Sequence, residues 1–361
     1  MSLLTCQAGY EPVLVREIGE AGGRVSSDGS GWVSTEEGNS WLCATGDAPA
    51  FAHRAIDAPV EVSGSSVNAL ARGILEAFAT RLGADRVASA WPCLFGTAGG
   101  ADGLGRRAKA VEAAFMEMLK KRFGRLARLA DSTLPRGIRP VRGLFVWFTD
   151  FDRAFVGRDA FLNGQCRMAD DPLAPSRSYL KIEEAYGILG REPQSGDTVC
   201  DLGAAPGGWS YSAAQRGARV TAIDNGPLKG GALDHPCIEP LAADAFHYSP
   251  DPGSGFDWLF CDLLEEPHHV LGSIVEPWLS GGWCRRFIVN FKAGRVDPVG
   301  LIGELKSALS PFVRHASGVR YRHLFHDRDE FTVTGEVIGK AANKVSFDAA
   351  ASAPVSEEPS P

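Results

Sequence analysis

The segment that most constrains the fold is Val199-Cys-Asp-Leu-Gly-Ala-Ala-Pro-Gly-Gly-Trp209. An apolar run ends in a carboxylate, a Gly- and Pro-rich turn follows, and an amphipathic stretch begins directly after it. That order predicts a strand feeding a helix through a tight turn. The pattern then repeats. Strands are predicted at Thr198–Leu202, Val220–Asp224, Glu239–Ala243, Trp258–Leu263, Phe287–Lys292, Val319–Phe325 and Phe331–Val337, and helices at Ser178–Gly190, Gly208–Gln215, Val270–Leu279 and Pro298–Leu309. The last helix carries its own start signal, Asp297 as cap with Pro298 in the first helical position. Strands alternating with helices in this number make a doubly wound α/β sheet, whose ligands bind beyond the carboxyl ends of the strands.

The turn also indicates the kind of ligand. Gly203, Gly207 and Gly208 let the backbone come close to a bound molecule. Asp224, 23 residues after Asp201, ends the next strand, where a carboxylate accepts from ribose hydroxyls, and Asp244 ends the third strand near an expected adenine. A dinucleotide would call for G-x-G-x-x-G; this loop reads G-A-A-P-G-G behind an acid. Asp201 would repel a pyrophosphate and suits the ammonium of S-adenosylmethionine, so a methyl donor is favoured and a nicotinamide oxidoreductase comes last.

The N-terminal half reads differently. Ser2–Gln7 is a predicted strand, Glu11–Glu20 an amphipathic helix, and Val67–Leu82 a helix with Val67, Leu70, Ile74, Phe78 and Leu82 on one face. A longer helix is predicted over Arg106–Ala130, with Val111, Phe115, Met118 and Leu119 at core spacing, and an aromatic strand over Val141–Thr149. This is an α+β region, read as two small units in tandem. A polar stretch with two prolines, Ala169–Ser178, separates it from the sheet domain. The expected organisation is an N-terminal region over 1–165, a linker over 166–178, the α/β domain over 179–340, and a disordered tail over 341–361, rich in Ala, Ser and Pro.

Net charge at first argues against a nucleic-acid partner, being −7 for 361 residues. Its distribution reverses the argument. Between Arg106 and Arg142 eleven Lys or Arg face three acids, a net +8, so the rest of the chain carries −15. A lopsided run of this kind is read as contact with a phosphate backbone, which carries no base specificity; Arg106, Arg107, Lys120, Lys121, Arg122 and Arg125 are the candidates. The eight cysteines lie 23 or more residues apart with no zinc-site spacing, so free thiols and no metal are expected. No apolar run reaches the roughly 20 residues of a membrane span. A cytoplasmic protein with no membrane partner is the expectation.

The sheet domain resembles a known family at five separate places. DLGAAPGGW is similar to the cofactor loop of the FtsJ-type ribose 2′-O-methyltransferases, a Rossmann-like fold. That superfamily carries a Lys-Asp-Lys-Glu tetrad. Ser-Arg-Ser-Tyr-Leu-Lys181, Phe-Cys-Asp262-Leu, Asn-Phe-Lys292 and Arg-Asp-Glu330-Phe-Thr-Val resemble its four motifs, in the family's order. Further matches are to the RlmM-type 23S rRNA cytidine 2′-O-methyltransferases: Ala-Pro-Ser-Arg-Ser (174–178), Asp-Asn-Gly-Pro (224–227), Gly-Trp-Cys-Arg (282–285), Cys-Gln-Ala-Gly-Tyr-Glu (6–11) and His-Asp-Arg (326–328).

The resemblance implies a ferredoxin-like plus THUMP-like RNA-binding region over 1–165 and S-adenosylmethionine contacts from Ser178, Asp201, Gly203, Ala205, Pro206, Gly207, Gly208, Asp224, Asp244 and Asp262. It also implies an RNA contact from Arg177 and, as substrate, 23S rRNA or a precursor of the large ribosomal subunit; no DNA partner is expected. The chemistry suits the set. A ribose hydroxyl must lose a proton as it attacks the methyl, and a lysine is a base only if its pKa is lowered, by a second lysine or by burial. Lys292 is assigned as general base, Lys181 and Asp262 as orienting groups, and Glu330 as the holder of a lysine. The alternatives are a 2′-O-methyltransferase of another RNA such as tRNA, and a non-catalytic RNA-binding ribosome-assembly factor. A base methyltransferase would need Asn/Asp-Pro-Pro-aromatic where this chain has Cys-Asp262-Leu-Leu.

Overall fold

The strands predicted after residue 178 form and pair in one sheet. In the computed structural model, which describes residues 1–36, 48–83, 85–97, 102–339 and the backbone of 343–344, their order across the sheet is Ile238–Leu241 (β12), Arg219–Ile223 (β11), Thr198–Leu202 (β10), Ser254–Cys261 (β13), Cys284–Lys292 (β14), Glu330–Val337 (β16) and Ala316–Arg322 (β15). All pair in parallel except β16, which is antiparallel to β14 and β15. This is a doubly wound Rossmann-like sheet, and the sequence turns back between β10, β11 and β13, where the crevice opens.

Both faces of this sheet are covered, so its central strands read as unbroken apolar runs rather than alternating ones. The side chains still divide by parity. Val199, Trp258 and Phe260 pack with the helices Tyr179–Leu189 and Gly208–Gln215, while Cys200, Leu202, Leu259 and Cys261 pack with Ile274, Trp278, Leu301 and Phe312 on the opposite face.

Two predicted helices in this domain differ in form. The helix expected at Val270–Leu279 starts earlier, at Pro267 behind the Glu266 cap, and widens into a π turn over Leu271–Val275 before Glu276–Ser280. Pro277 explains it: lacking an N–H and clashing with the preceding turn, it forces a wider one. The helix from Pro298 ends at Leu305, not Leu309, because Ser310 caps a separate short helix, Pro311–His315.

The N-terminal half forms a single nine-stranded sheet rather than two separate ones. The long hairpin of Ile138–Asp150 (β8) and Arg153–Asn163 (β9) is its spine, and Arg54–Asp57 and Val60–Ser63 both pair with β9, which joins the two units. Alternation on β8 is regular. Leu144, Val146 and Phe148 meet the helices Val67–Leu82 and Leu104–Arg122, and Phe145 and Trp147 face the other way. The helix predicted over Arg106–Ala130 is broken. It runs Leu104–Arg122, leaves helical geometry at Phe123 (φ −136°, ψ 61°), and restarts as Gly124–Leu129; Ala130 and Asp131 pair instead with Trp91 and Pro92.

The two halves pack closely. Helix Glu11–Glu20 buries Leu14 and Ile18 in the same core as β14 and β16. Arg322 is fully buried and donates to the carbonyls of Asn163 (3.1 Å) and Ala48 (3.4 Å). The expected linker is fastened rather than free: Leu173 O accepts from Gly231 N at 2.7 Å and Asp171 accepts from the Tyr211 hydroxyl at 2.9 Å. Of the expected tail, Asn343–Lys344 pair with Ser254 and Gly255; its other residues lie outside the described ones. Among the described residues no helix is long and apolar enough to cross a membrane.

Candidate active site

Lys292 and Glu330 face each other because β14 and β16 are antiparallel with these two residues as direct partners. Asp262 follows β13 immediately, and Lys181 stands in the first turn of helix Tyr179–Leu189, over the same strand ends. The four side chains converge. Lys292 Nζ contacts Asp262 Oδ1 directly and lies 3.3 Å from Glu330 Oε2; Lys181 Nζ contacts Glu330 Oε1 directly and lies 3.8 Å from Asp262 Oδ2. Two cations and two anions therefore alternate around a ring, with every side chain only 12–16% exposed.

The charge balance in the ring partly departs from the sequence expectation. Burial alone would lower the Lys181 ammonium, but Asp262 and Glu330 outweigh it and hold that amine above its ordinary value. For Glu330, burial works upward and the two lysines outweigh it, so the carboxyl sits below its ordinary range. Lys181 is thus a firmly charged neighbour of Lys292.

The sequence reading missed what stands behind the ring. Asn290 is buried, and its Oδ1 accepts from Lys292 at 2.8 Å. Its amide nitrogen donates to Asp327 Oδ1 (3.1 Å) and Thr332 Oγ1 (3.0 Å), which fixes which end of the amide faces the lysine. Burial, the main cause, raises the Asp327 carboxyl to about 7. A period-2 reading of the strand ending at Lys292 could have found Asn290, since it shares that residue's face; Asp327 lies inside the His-Asp-Arg motif.

A cavity of about 790 Å³ opens over the ring, lined among others by Ser178, Asp201, Gly203, Ala205, Pro206 and Asp262. A second, of about 580 Å³, adjoins it through Gly203 and Leu264 and holds Asp224 and Asp244. Asp224 organises the loop: Oδ2 accepts the Ala205 N–H (2.9 Å) and Oδ1 that of Gly226 (2.7 Å), leaving each oxygen a further lone pair. Asp244 accepts from Phe246 N (2.9 Å) and contacts His247 Nδ1 (2.8 Å).

Three expected contacts serve the loop itself. Asp201 is buried with the Ser210 hydroxyl donating to it at 2.6 Å, and burial above all raises its carboxyl to about 7. Gly207 and Gly208 are not among the residues lining either cavity. A Cβ on Gly207 (φ +105°) would stand 2.5 Å from the Ala232 methyl, and one on Gly208 2.7 Å from Ser178 Oγ, so packing requires these glycines. Gly203 (φ +79°) is needed for the same reason against Leu263, yet also lines both cavities. Trp209 lines the larger cavity with its indole N–H bound to Ser178 O at 3.0 Å.

The basic stretch lies apart from both cavities. Arg106, Lys120, Lys121, Arg122 and Arg125 are exposed, whereas Arg107 is half-buried and donates to the carbonyls of Phe151 (3.1 Å) and Ser65 (3.2 Å), a structural role. Lys120, Lys121 and Arg122 close the last turn of their helix, where cations also favour the helix dipole. Arg177 lines the cavity mouth, exposed, 3.7 Å from Asp170.

Residues 174–270 match the family model of the FtsJ-like methyltransferases. The chain is 37% identical over 200 residues to "Ribosomal RNA large subunit methyltransferase M" of Halorhodospira halophila, covering 54% of this chain and 57% of that protein. To the protein of the same name from Alkalilimnicola ehrlichii it is 36% identical over 235 residues, covering 59% of this chain and 64% of the relative. The matches therefore span less than two thirds of these relatives. A crystal structure of TrmN from Thermus thermophilus is 15% identical over 93% of this chain and 99% of that one, at a TM-score of 0.35.

Proposed function

We propose that the chain transfers a methyl group from S-adenosylmethionine to a ribose 2′-hydroxyl of large-subunit ribosomal RNA, with a cytidine as the target. The observation that carries this reading is the alternating Lys-Asp-Lys-Glu ring beneath the larger cavity.

The acidic cleft fits a cationic methyl donor and not a pyrophosphate: Asp224, Asp244 and Asp262 line it, and Asp224 retains lone pairs for two ribose hydroxyls. Bound there, S-adenosylmethionine would supply an electrophilic methyl on a sulfonium. The protein's own residues would do the rest. Lys292, as the free amine, would take the 2′-hydroxyl proton as that oxygen attacks the methyl carbon and the thioether leaves. Asp262 and Asn290 accept from this amine and Glu330 lies 3.3 Å from it, so three groups fix its position beneath the cavity. Lys181, kept charged by its carboxylates, stabilises negative charge developing on the ribose oxygen.

The test is to map 2′-O-methylation across rRNA and tRNA in cells with and without the gene. Loss of one mark on a large-subunit cytidine is the expected result. Loss of a tRNA mark instead would move the substrate, and an unchanged map would overturn the enzymatic reading.

A further inference from the structure

The mouth of the larger cavity is built where two segments meet: 166–168, after the β8–β9 hairpin, and 325–328, between β15 and β16. Glu184, fully buried in helix Tyr179–Leu189, joins them. Its Oε1 accepts the backbone N–H of Cys166 at 3.0 Å and of Phe325 at 2.8 Å, and its Oε2 that of His326 at 3.2 Å. Across the seam the Met168 N–H donates to His326 Nε2 at 2.9 Å. The main chain of Arg328 is tied as well, its carbonyl accepting from the Tyr10 hydroxyl at 2.6 Å.

This bracing sets a particular group of side chains around the opening. The Arg167 guanidinium stands 5.1 Å from the centre of the Phe325 ring, and Arg328 and Arg177 share the rim. Phe325 is 39% exposed, so part of its ring faces solvent at the opening. Arg177 has Asp170 as a partner, but Arg167 and Arg328 make no ion pair among the described residues. The imidazole of His326 registers the surplus charge: burial first, then Arg167 and Arg177, hold it below its ordinary value. The rim is thus positive and aromatic, whereas the floor is the charge-balanced ring.

We propose that this rim is a binding site for single-stranded RNA, in which Arg167 and Arg328 take phosphates flanking the nucleotide whose ribose reaches Lys292 and Phe325 carries an unpaired base. Guanidinium groups pair with phosphate oxygens in a bidentate fork, and exposed aromatics at such an opening offer a stacking face to a base turned out of its helix. An acidic peptide would satisfy the arginines but would leave unused the cavity directly below. The assignment rests on the RNA reading given above and locates its contacts at the cavity mouth.

The experiment uses the full chain with an unmodified large-subunit rRNA fragment. It measures RNA affinity against salt, methyl-transfer kinetics, and affinity for S-adenosylmethionine. Arg167→Ala combined with Arg328→Ala is expected to weaken RNA binding roughly tenfold or more and to reduce the salt slope by about 1.4, the value for two single-strand phosphates. Phe325→Ala is expected to weaken binding about tenfold, with recovery in Phe325→Tyr, at unchanged salt slope. Affinity for S-adenosylmethionine should stay within about twofold, which separates lost contacts from a lost fold. Wild-type transfer to RNA combined with unaltered binding and slope in these variants overturns the rim assignment alone. So does a defect seen only on protein-bearing ribosomal particles, since the rim would then contact protein. Absence of any transfer by the wild type overturns the functional reading beneath it.

Discussion

Two charge-rich regions of this molecule obey opposite rules. In the tetrad, two lysines and two carboxylates are mostly buried and each touches a partner of opposite sign. Along Arg106–Arg142, eleven cations face three acids, and most of the cations are exposed. Removing ions from water is costly unless partners and hydrogen bonds replace it, so the buried set is specified atom by atom. The exposed set is specified only in sum, because water and salt screen each member. Single substitutions should therefore matter greatly in the first region and little in the second.

The largest effect should come from Lys292→Ala. Single-turnover transfer is expected to fall by about 10²–10⁴, the usual share of a general base, while S-adenosylmethionine affinity stays within about twofold. Wild-type transfer in this variant would remove the tetrad from the chemistry and erase the contrast. Next comes Glu184→Ala, which strips one buried acceptor from three backbone N–H groups. Destabilisation by about 2–4 kcal/mol is expected in urea unfolding; a loss below about 0.5 kcal/mol would show that buried carboxylates here are as replaceable as surface ones.

A third effect depends on pH. Burial holds the Asp201 and Asp327 carboxyls at about 7, against about 3.9 in an unfolded chain. The folded protein binds these protons more tightly than the unfolded chain does. Their contribution to stability is therefore full below about pH 4, declines as pH rises through 7, and is level beyond. Asp201→Asn keeps an acceptor for Ser210 and removes the titration, so its unfolding midpoint should fall less than that of wild type between pH 5 and pH 8. Equal pH dependence in the two proteins would contradict the raised value. The smallest effect belongs to Lys120→Ala, Lys121→Ala and Arg122→Ala, each expected to change stability by less than about 0.5 kcal/mol. If this surface meets phosphate, each lowers the salt slope of RNA binding by about 1; an unchanged slope would assign these cations to the helix end alone.

How far the sequence discloses each region follows from the same distinction. Strands such as Thr198–Leu202 and helices such as Glu11–Glu20 and Val67–Leu82 occupy their predicted residues because hydrophobic periodicity is local information. The four tetrad positions were marked by their resemblance to the FtsJ-type motifs; local pattern alone shows only that they sit at strand ends or helix starts. The roles of Asn290 and Glu184 were not legible. Each is polar and buried, and its role depends on partners 37 and 141 residues away, Asp327 and Phe325. The break at Phe123 and the π turn before Pro277 also went unseen, since periodicity continues across both. The joining of the N-terminal units into one sheet depends on both Arg54–Asp57 and Val60–Ser63 choosing the same partner strand, which no local pattern records.

The pairing of Lys292 with Glu330 has a wider consequence. On β16, Phe331 and Val333 are core residues, so the alternation that buries them also turns the acid toward the lysine. One extra residue inside that strand would leave a choice between exposing the core and pointing the acid away from the active site. The oily interior thus acts as a gauge for the chemistry. Over evolutionary time the final hairpin should accept exchanges of one apolar residue for another while rejecting changes of length, even at positions that never meet a substrate.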